Sequence, residues 1–178
     1  MAANLIAFVW GLAEATLFFI VPDVALSVIS LKGVDVGLVA CLYALAGALT
    51  GGTIMFYWGR AEIEKVTHIL STIPAIRPKD MEKVRSDLRI KGIKAILFGP
   101  IFGIPYKIYA VYAHSITDIY RFLLISVPAR IVRFVLMIFV TPYIIDRFWP
   151  NASYMLQVQI VLILWMFFYT IYFVIKRN

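Results

Sequence analysis

Five ionisable side chains stand inside long apolar stretches of this sequence. They are two acids, Glu14 and Asp23, and three bases, Lys107, Arg130 and Arg133. Ionisable residues within apolar, membrane-type segments are costly, and they usually line a polar cavity or pair with one another. Because the acids lie in the first half of the chain and the bases in the second, the sequence predicts that the two halves pair at one buried site.

The chemistry of this site follows from its surplus of positive charge. Arg130 lies about 12 residues into its apolar stretch, so roughly 18 Å along a helix, and Arg133 shares its face. Arginine offers a forked donor set that matches phosphate oxygens, which predicts substrate binding by Lys107, Arg130 and Arg133. Glu14 and Asp23 are predicted to couple protons or gate the site. The alternative is that the ion pairs only hold the fold together, although buried pairs stabilise poorly compared with apolar replacements.

The composition is that of a membrane protein. The chain has 178 residues, of which 62% are hydrophobic, and its mean hydropathy is +0.89, whereas soluble domains are about 45–50% apolar. The net charge of +7 comes mostly from residues 60–94 and the C-terminus, a distribution typical of cytoplasmic loops. It favours anionic lipid headgroups, and not nucleic acid, as the partner of these basic residues.

Motifs of enzymes, cofactor sites and metal sites are absent from the sequence. There is no His-Glu-x-x-His, no Gly-x-Ser-x-Gly, no Walker loop and no metal-ligand spacing. The single cysteine, Cys41, excludes an internal disulfide. The sequence therefore predicts a protein that is not an enzyme and that uses no cofactor.

The elements that must position the charged residues are all helical, within a single membrane domain covering residues 1–178. Apolar residues 1–31 are too long for one span and are broken at Pro22-Asp23, which predicts a re-entrant hairpin. A second such hairpin is predicted at 93–113, broken at residues 99–105. Full transmembrane helices are predicted at 36–58, 119–145 and 155–175. Two short amphipathic helices on the cytoplasmic surface are predicted within 60–92.

The two halves have the same layout, a broken hairpin followed by a transmembrane helix. Residues 1–58 form the first half-repeat, residues 59–92 the cytoplasmic amphipathic segment, and residues 93–145 the second half-repeat; a further C-terminal helix follows. The first half ends in the cytoplasm and the second half begins there. The repeats are therefore predicted to be inverted, an architecture found in transporters. This topology places residues 60–92 and the C-terminus in the cytoplasm.

Four stretches of the sequence carry a resemblance to a known family. They are Glu14 with Pro22-Asp23, residues 51–60, residues 81–92, and Gly99-Pro100 through Pro105-Tyr106-Lys107. Their order resembles the DedA family, also called SNARE-associated or VTT-domain membrane proteins, over about residues 10–139. In the fourth stretch, Lys107 stands at about the second arginine of the family's arginine-proline-arginine motif, whose first arginine has no counterpart. Gly52 stands where many members have an aspartate.

The resemblance implies two facing re-entrant hairpins and the movement of lipids between leaflets of a bacterial or archaeal cell membrane. The implied partner is a phospholipid or a polyprenyl-phosphate lipid, moved by a flippase or scramblase with or without coupling to protons. Two alternatives stay open from the residues alone. One is a small-ion or proton-coupled transporter without a lipid substrate, and the other is a membrane scaffold that transports nothing.

Overall fold

The structure, a computed structural model, describes residues 2–74 and 76–177. Helices make up 82% of the chain, and the described residues contain no strand. In chain order the elements are α1 (Ala2–Thr16), α2 (Asp23–Ser30), α3 (Val34–Ala61), α4 (Ile63–Ser71), α5 (Pro78–Lys91), α6 (Lys94–Phe98), a 3-10 helix (Gly99–Phe102), α7 (Tyr106–Ala113), α8 (Ile119–Phe148) and α9 (Tyr154–Arg177).

Three helices, α3, α8 and α9, are long and apolar enough to cross a membrane. They contain 28, 30 and 24 residues, so each exceeds the thickness of a bilayer's hydrocarbon core of about 30 Å at a rise of 1.5 Å per residue. The helices predicted at 36–58, 119–145 and 155–175 are confirmed. α3 and α9 extend one to three residues beyond both predicted ends, and α8 extends three residues beyond its predicted C-terminal end. Their length and composition indicate a membrane-embedded protein.

Two shorter apolar stretches are interrupted where the sequence predicts. Residues 17–22 separate α1 from α2, and Pro22 lies directly before the first residue of α2, where the missing N–H of proline is not needed. Residues 103–105 separate the 3-10 helix from α7. Gly103 has a φ of +77°, a left-handed conformation that glycine adopts without steric cost. The predicted breaks at Pro22 and within residues 99–105 are therefore confirmed.

The first apolar helix, α1, packs along α3 through glycines. Gly47 faces the backbone of Phe8, and Gly51 faces Ala15 and Thr16. Since contacts move forward along both helices together, α1 and α3 run in the same direction. A side chain on Gly47 would overlap the Phe8 carbonyl, so the glycines are what allow these two backbones to lie so close.

The helix after the second interruption, α7, also runs in the direction of α3. Gly52 contacts Tyr106 at the start of α7, and Gly59 contacts the backbone of Val111 near its end. The chain therefore reaches the level of Gly52 at the interruption and returns along α7 toward the end of α3.

The long helix α8 runs against α3. The rings of Phe122, near the start of α8, and Phe56, near the end of α3, lie 5.4 Å apart. Further along α8, Ile138 lies beside Gly37, near the start of α3. This antiparallel packing brings the middle of α8 to the level of both interruptions.

The last helix, α9, lies against α2 and is otherwise open. Its Trp165 donates a hydrogen bond to Ser27 at 3.3 Å, and the Phe173 ring lies 5.7 Å from that of Phe19. Among its described side chains only Val161 is buried. α2 runs in the direction of α8, since Asp23 lies beside Arg133 and Ser27 beside Thr141, and it therefore runs against α3. α9 runs opposite to α2, because Trp165 lies beside Ser27 and Phe173 beside Phe19, and therefore in the direction of α3.

The two amphipathic helices, α4 and α5, differ from the sequence prediction in one respect. Five of their apolar residues are buried against the protein, in one core with α7, and not against a lipid surface. The interpretation as helices lying on the membrane is corrected accordingly, because helical periodicity reports burial without identifying what covers the face. The residues concerned are Val66, Leu70, Met81, Val84 and Leu88.

Candidate functional site

A cavity of about 240 Å³ lies where the two interruptions meet, and all five predicted residues line it. Glu14 comes from α1, Asp23 from α2, Lys107 from α7, and Arg130 and Arg133 from α8. The predicted meeting of acids and bases from the two halves is therefore confirmed in its geometry.

The innermost pair joins Glu14 to Arg130. A carboxylate oxygen of Glu14 lies 2.6 Å from Nη1 of Arg130, and Arg130 is only 5% exposed. At this separation, with both side chains buried, each charge compensates the other.

The second pair joins Asp23 to Arg133 at 2.5 Å. Asp23 is buried, and it is the first residue of α2, where unpaired backbone N–H groups favour a negative charge. The side chain of Arg133 is 37% exposed. One end of the charged cluster is therefore accessible, and the end at Arg130 is closed.

Lys107 connects the two interruptions directly. It is the second residue of α7, and its Nζ donates a hydrogen bond to the backbone carbonyl of Phe18. Phe18 follows the end of α1, where carbonyl groups have no partner within the helix. The buried ammonium therefore holds the first interruption against the second.

The ring of Tyr106 packs against the guanidinium of Arg130. The central carbon of that guanidinium lies 4.0 Å from the centre of the Tyr106 ring, a cation–π contact. The Tyr106 hydroxyl donates to Ser126 at 2.9 Å, and Ser126 donates to the carbonyl of Phe122 at 2.7 Å. This chain of hydrogen bonds fixes the ring, and the ring fixes the arginine.

The hydrogen-bonding capacity of the cluster is not fully used. Three positive and two negative side chains leave one positive charge. Within the described part of the chain, Nη2 of Arg130 and Oδ1 of Asp23 are buried without a hydrogen-bond partner. An unpaired buried polar group costs about 1–3 kcal/mol, and more when it is charged. The site is therefore complementary to a small anion that accepts hydrogen bonds.

An aromatic wall from α9 closes one side of the cavity. The Tyr169 hydroxyl accepts a hydrogen bond from the backbone N–H of Val21 at 2.8 Å. The wall's residues follow each other at intervals of three and four, which places them on one helix face. That spacing is the signal that sequence reasoning missed. The wall consists of Trp165, Phe168, Tyr169, Tyr172 and Phe173.

Sequence reasoning also missed Tyr106, Ser126 and the segment between α4 and α5. Ile73 and Ile76 of that segment are buried and line the cavity. Nothing in the sequence distinguishes Tyr106 from the other nine tyrosines of the chain, apart from its place beside Lys107.

Among the described residues, no group of three or more His, Cys, Asp or Glu side chains is placed to hold a metal ion. The arrangement offers instead a buried positive site beside two acids. A comparison of the chain with protein families, curated proteins and solved structures finds no match.

Proposed function

We propose that this chain is a transporter that moves a phosphate-bearing lipid between the two leaflets of its membrane. The observation that carries the proposal is the buried Nη2 of Arg130, which has no hydrogen-bond partner within the described chain and lies in a cavity whose side chains leave one positive charge. A phosphate group bears the charge and the acceptor oxygens that this site lacks.

The phosphate binds between Arg130 and Lys107. Arg130 already uses Nη1 for Glu14, so Nη2 is the donor left for a phosphate oxygen. Lys107, on α7, adds a second positive charge. Arg133 supplies a guanidinium at the accessible end of the cluster. A single phosphodiester charge neutralises the surplus.

The size of the cavity limits what enters it. Sites for whole drug-sized ligands measure about 300–1,000 Å³, and this cavity measures about 240 Å³. It accepts a headgroup and leaves the acyl or prenyl tails in the bilayer. The exposed apolar surface of α9 offers the tails a path along the protein.

The interrupted segments act as two facing re-entrant hairpins in this proposal. In support, α1 runs in the direction of α3 and α2 runs against it, so the first segment turns back at its interruption. In the second segment the chain reaches the level of Gly52 at the interruption and returns along α7. Lys107 of one segment also binds the backbone of Phe18 in the other. This layout favours inverted repeats, and with them a DedA-type transporter with residues 60–92 and the C-terminus in the cytoplasm.

Glu14 and Asp23 control the site by competing with the lipid for the arginines. When either acid takes up a proton, its arginine is freed for phosphate, so a proton gradient can drive or gate the movement. The same two acids are available to a small-ion transporter. The lipid substrate is favoured because the cluster has a surplus positive charge and because Nη2 of Arg130 is an unpaired donor within the described chain.

The experiment that tests the proposal is a leaflet-exchange assay on protein reconstituted into vesicles with Arg130→Lys. Lysine keeps the charge opposite Glu14 but loses the forked donor set. A hydrogen bond to a charged group contributes about 1.5–3 kcal/mol, so lipid movement is expected to fall roughly ten- to a hundredfold. Arg121→Lys, an exposed change on the same helix, is the matched control and is expected to have no effect.

If the Arg130→Lys variant stays monodisperse in detergent and moves lipid at the wild-type rate, the charges have a purely structural role. The hypothesis of a membrane scaffold would then replace that of a transporter. A proton or ion flux through the wild-type protein without any lipid movement would favour the small-ion transporter.

A further inference from the structure

A second cavity, of about 650 Å³, lies between the end of α5, α6 and α7. Its polar wall is formed by Lys83, Asp87, Lys91, Lys94 and Tyr109. Asp87 and Lys91 form an ion pair at 2.6 Å, while Lys83 and Lys94 have no acidic partner within the described residues. These two lysines leave the cavity with two positive charges.

An unpaired buried group also lines this cavity. Tyr109 is fully buried, and its hydroxyl has no hydrogen-bond partner in the part of the chain that the structure describes. The hydroxyl lies beside Gly99, where any larger residue would overlap the Tyr109 ring. Gly99 therefore leaves room for a phenol that is ready to donate to a ligand oxygen.

The rim of the cavity is apolar. Ile90 is 77% exposed and Phe98 is 51% exposed, and both line the opening. Ile90 lies near the end of the bundle where α3 ends, and Phe98 lies at the far end of α6, toward the second interruption. Positive charge beside exposed apolar side chains matches an amphiphile at a membrane surface.

We propose that this cavity is a second lipid site, which binds the phosphate of an anionic phospholipid. Lys83 and Lys94 hold the phosphate, the Tyr109 hydroxyl donates to one of its oxygens, and the acyl chains lie against Ile90 and Phe98. The site does not depend on lipid movement through the central cavity, from which it is separated by Ile104, a residue that lines both.

The test measures binding of short-chain phosphatidylglycerol to the detergent-purified protein by native mass spectrometry. The variant Lys83→Gln/Lys94→Gln is expected to weaken binding at least tenfold, because it removes both unpaired charges. Tyr109→Phe is expected to weaken binding about threefold to tenfold. Its unfolding temperature is expected to stay the same, because no hydrogen bond within the described structure is lost.

The matched control is Lys65→Gln/Lys79→Gln, which removes two exposed lysines elsewhere on the same polar stretch. Unchanged binding in this control supports a defined site, and an equal loss in both double variants overturns it in favour of general attraction to positive charge. Inorganic phosphate that competes as strongly as the lipid would overturn the lipid assignment. Short-chain phosphatidylcholine is expected to bind more weakly, because its headgroup carries no net charge.

Discussion

The guanidinium of Arg130 has three properties that this site uses. Glu14 takes one charge-assisted hydrogen bond, the Tyr106 ring contacts the planar face, and Nη2 remains available. A lysine cannot satisfy all three, since its ammonium has no planar face and no fixed fork.

The two buried pairs differ in how much they depend on their acids. Glu14→Gln leaves the charge of Arg130 at a position closed to water, and breaking a buried pair in this way costs about 3–5 kcal/mol. Asp23→Asn leaves the charge of Arg133, which is 37% exposed, so water compensates part of the loss. We expect a larger loss of unfolding free energy for Glu14→Gln, measured by denaturation in detergent micelles.

The double variant Glu14→Gln/Arg130→Gln serves as the control, because it removes both charges and should recover part of the stability lost in Glu14→Gln. Equal losses for the two single variants would contradict the closed position assigned to Arg130.

The sequence predicts the five charged residues because an ionisable side chain in an apolar stretch requires a compensating partner. It does not predict which acid meets which base, since that depends on the packing of α1, α2 and α8. The sequence does not predict the roles of Tyr106 and Ser126, for another reason. A tyrosine or a serine in an apolar helix is common, and only the three-dimensional neighbour makes it part of a site.

At the scale of elements, the contact between α1 and α3 depends on glycine. Gly47→Ala places a methyl group into the Phe8 carbonyl, and overpacking of this kind costs about 1–3 kcal/mol. We expect a lower unfolding temperature, and weaker lipid movement because Glu14 shifts with α1. Circular dichroism during heating and the leaflet-exchange assay measure the two effects.

Ala46→Leu is the matched control for this variant. It adds more atoms at the neighbouring position, but Ala46 is exposed on the outer face of α3, so no loss of stability is expected. A similar effect of both substitutions would show that the close contact with Phe8 is not what matters.

The helix breaks were predictable, because proline and glycine change the local backbone whatever surrounds them. The burial of α4 and α5 was not. A repeat of Val66, Leu70, Val84 and Leu88 at helical spacing is equally compatible with a membrane surface and with a protein core, and tertiary packing decides between them. The relation between the two broken segments also appears only through contacts such as that of Lys107 with Phe18.

At the scale of the molecule, the directions of α3 and α9 make a prediction about sidedness. Both run toward the same end, so Ser71 and the C-terminus should be labelled from one side of the membrane and Ser153 from the other. Single cysteines at Ser71, at Ser153 and appended to the C-terminus, in a Cys41→Ala background, test this with a maleimide that does not cross membranes. Labelling of Ser71 and Ser153 from the same side would contradict the topology.

The loose attachment of α9 has a consequence for how a substrate reaches the cavity. α1 and α3 are in backbone contact, whereas α9 is held chiefly along α2, so we expect α9 to swing outward more readily than α1. In the proposed transporter, a lipid would then enter sideways from within one leaflet, without its tails leaving the hydrocarbon. Spin labels at exposed Leu164 and Leu42 should report a broad distance distribution that changes with lipid, while labels at Val9 and Leu42 should report a narrow, constant one.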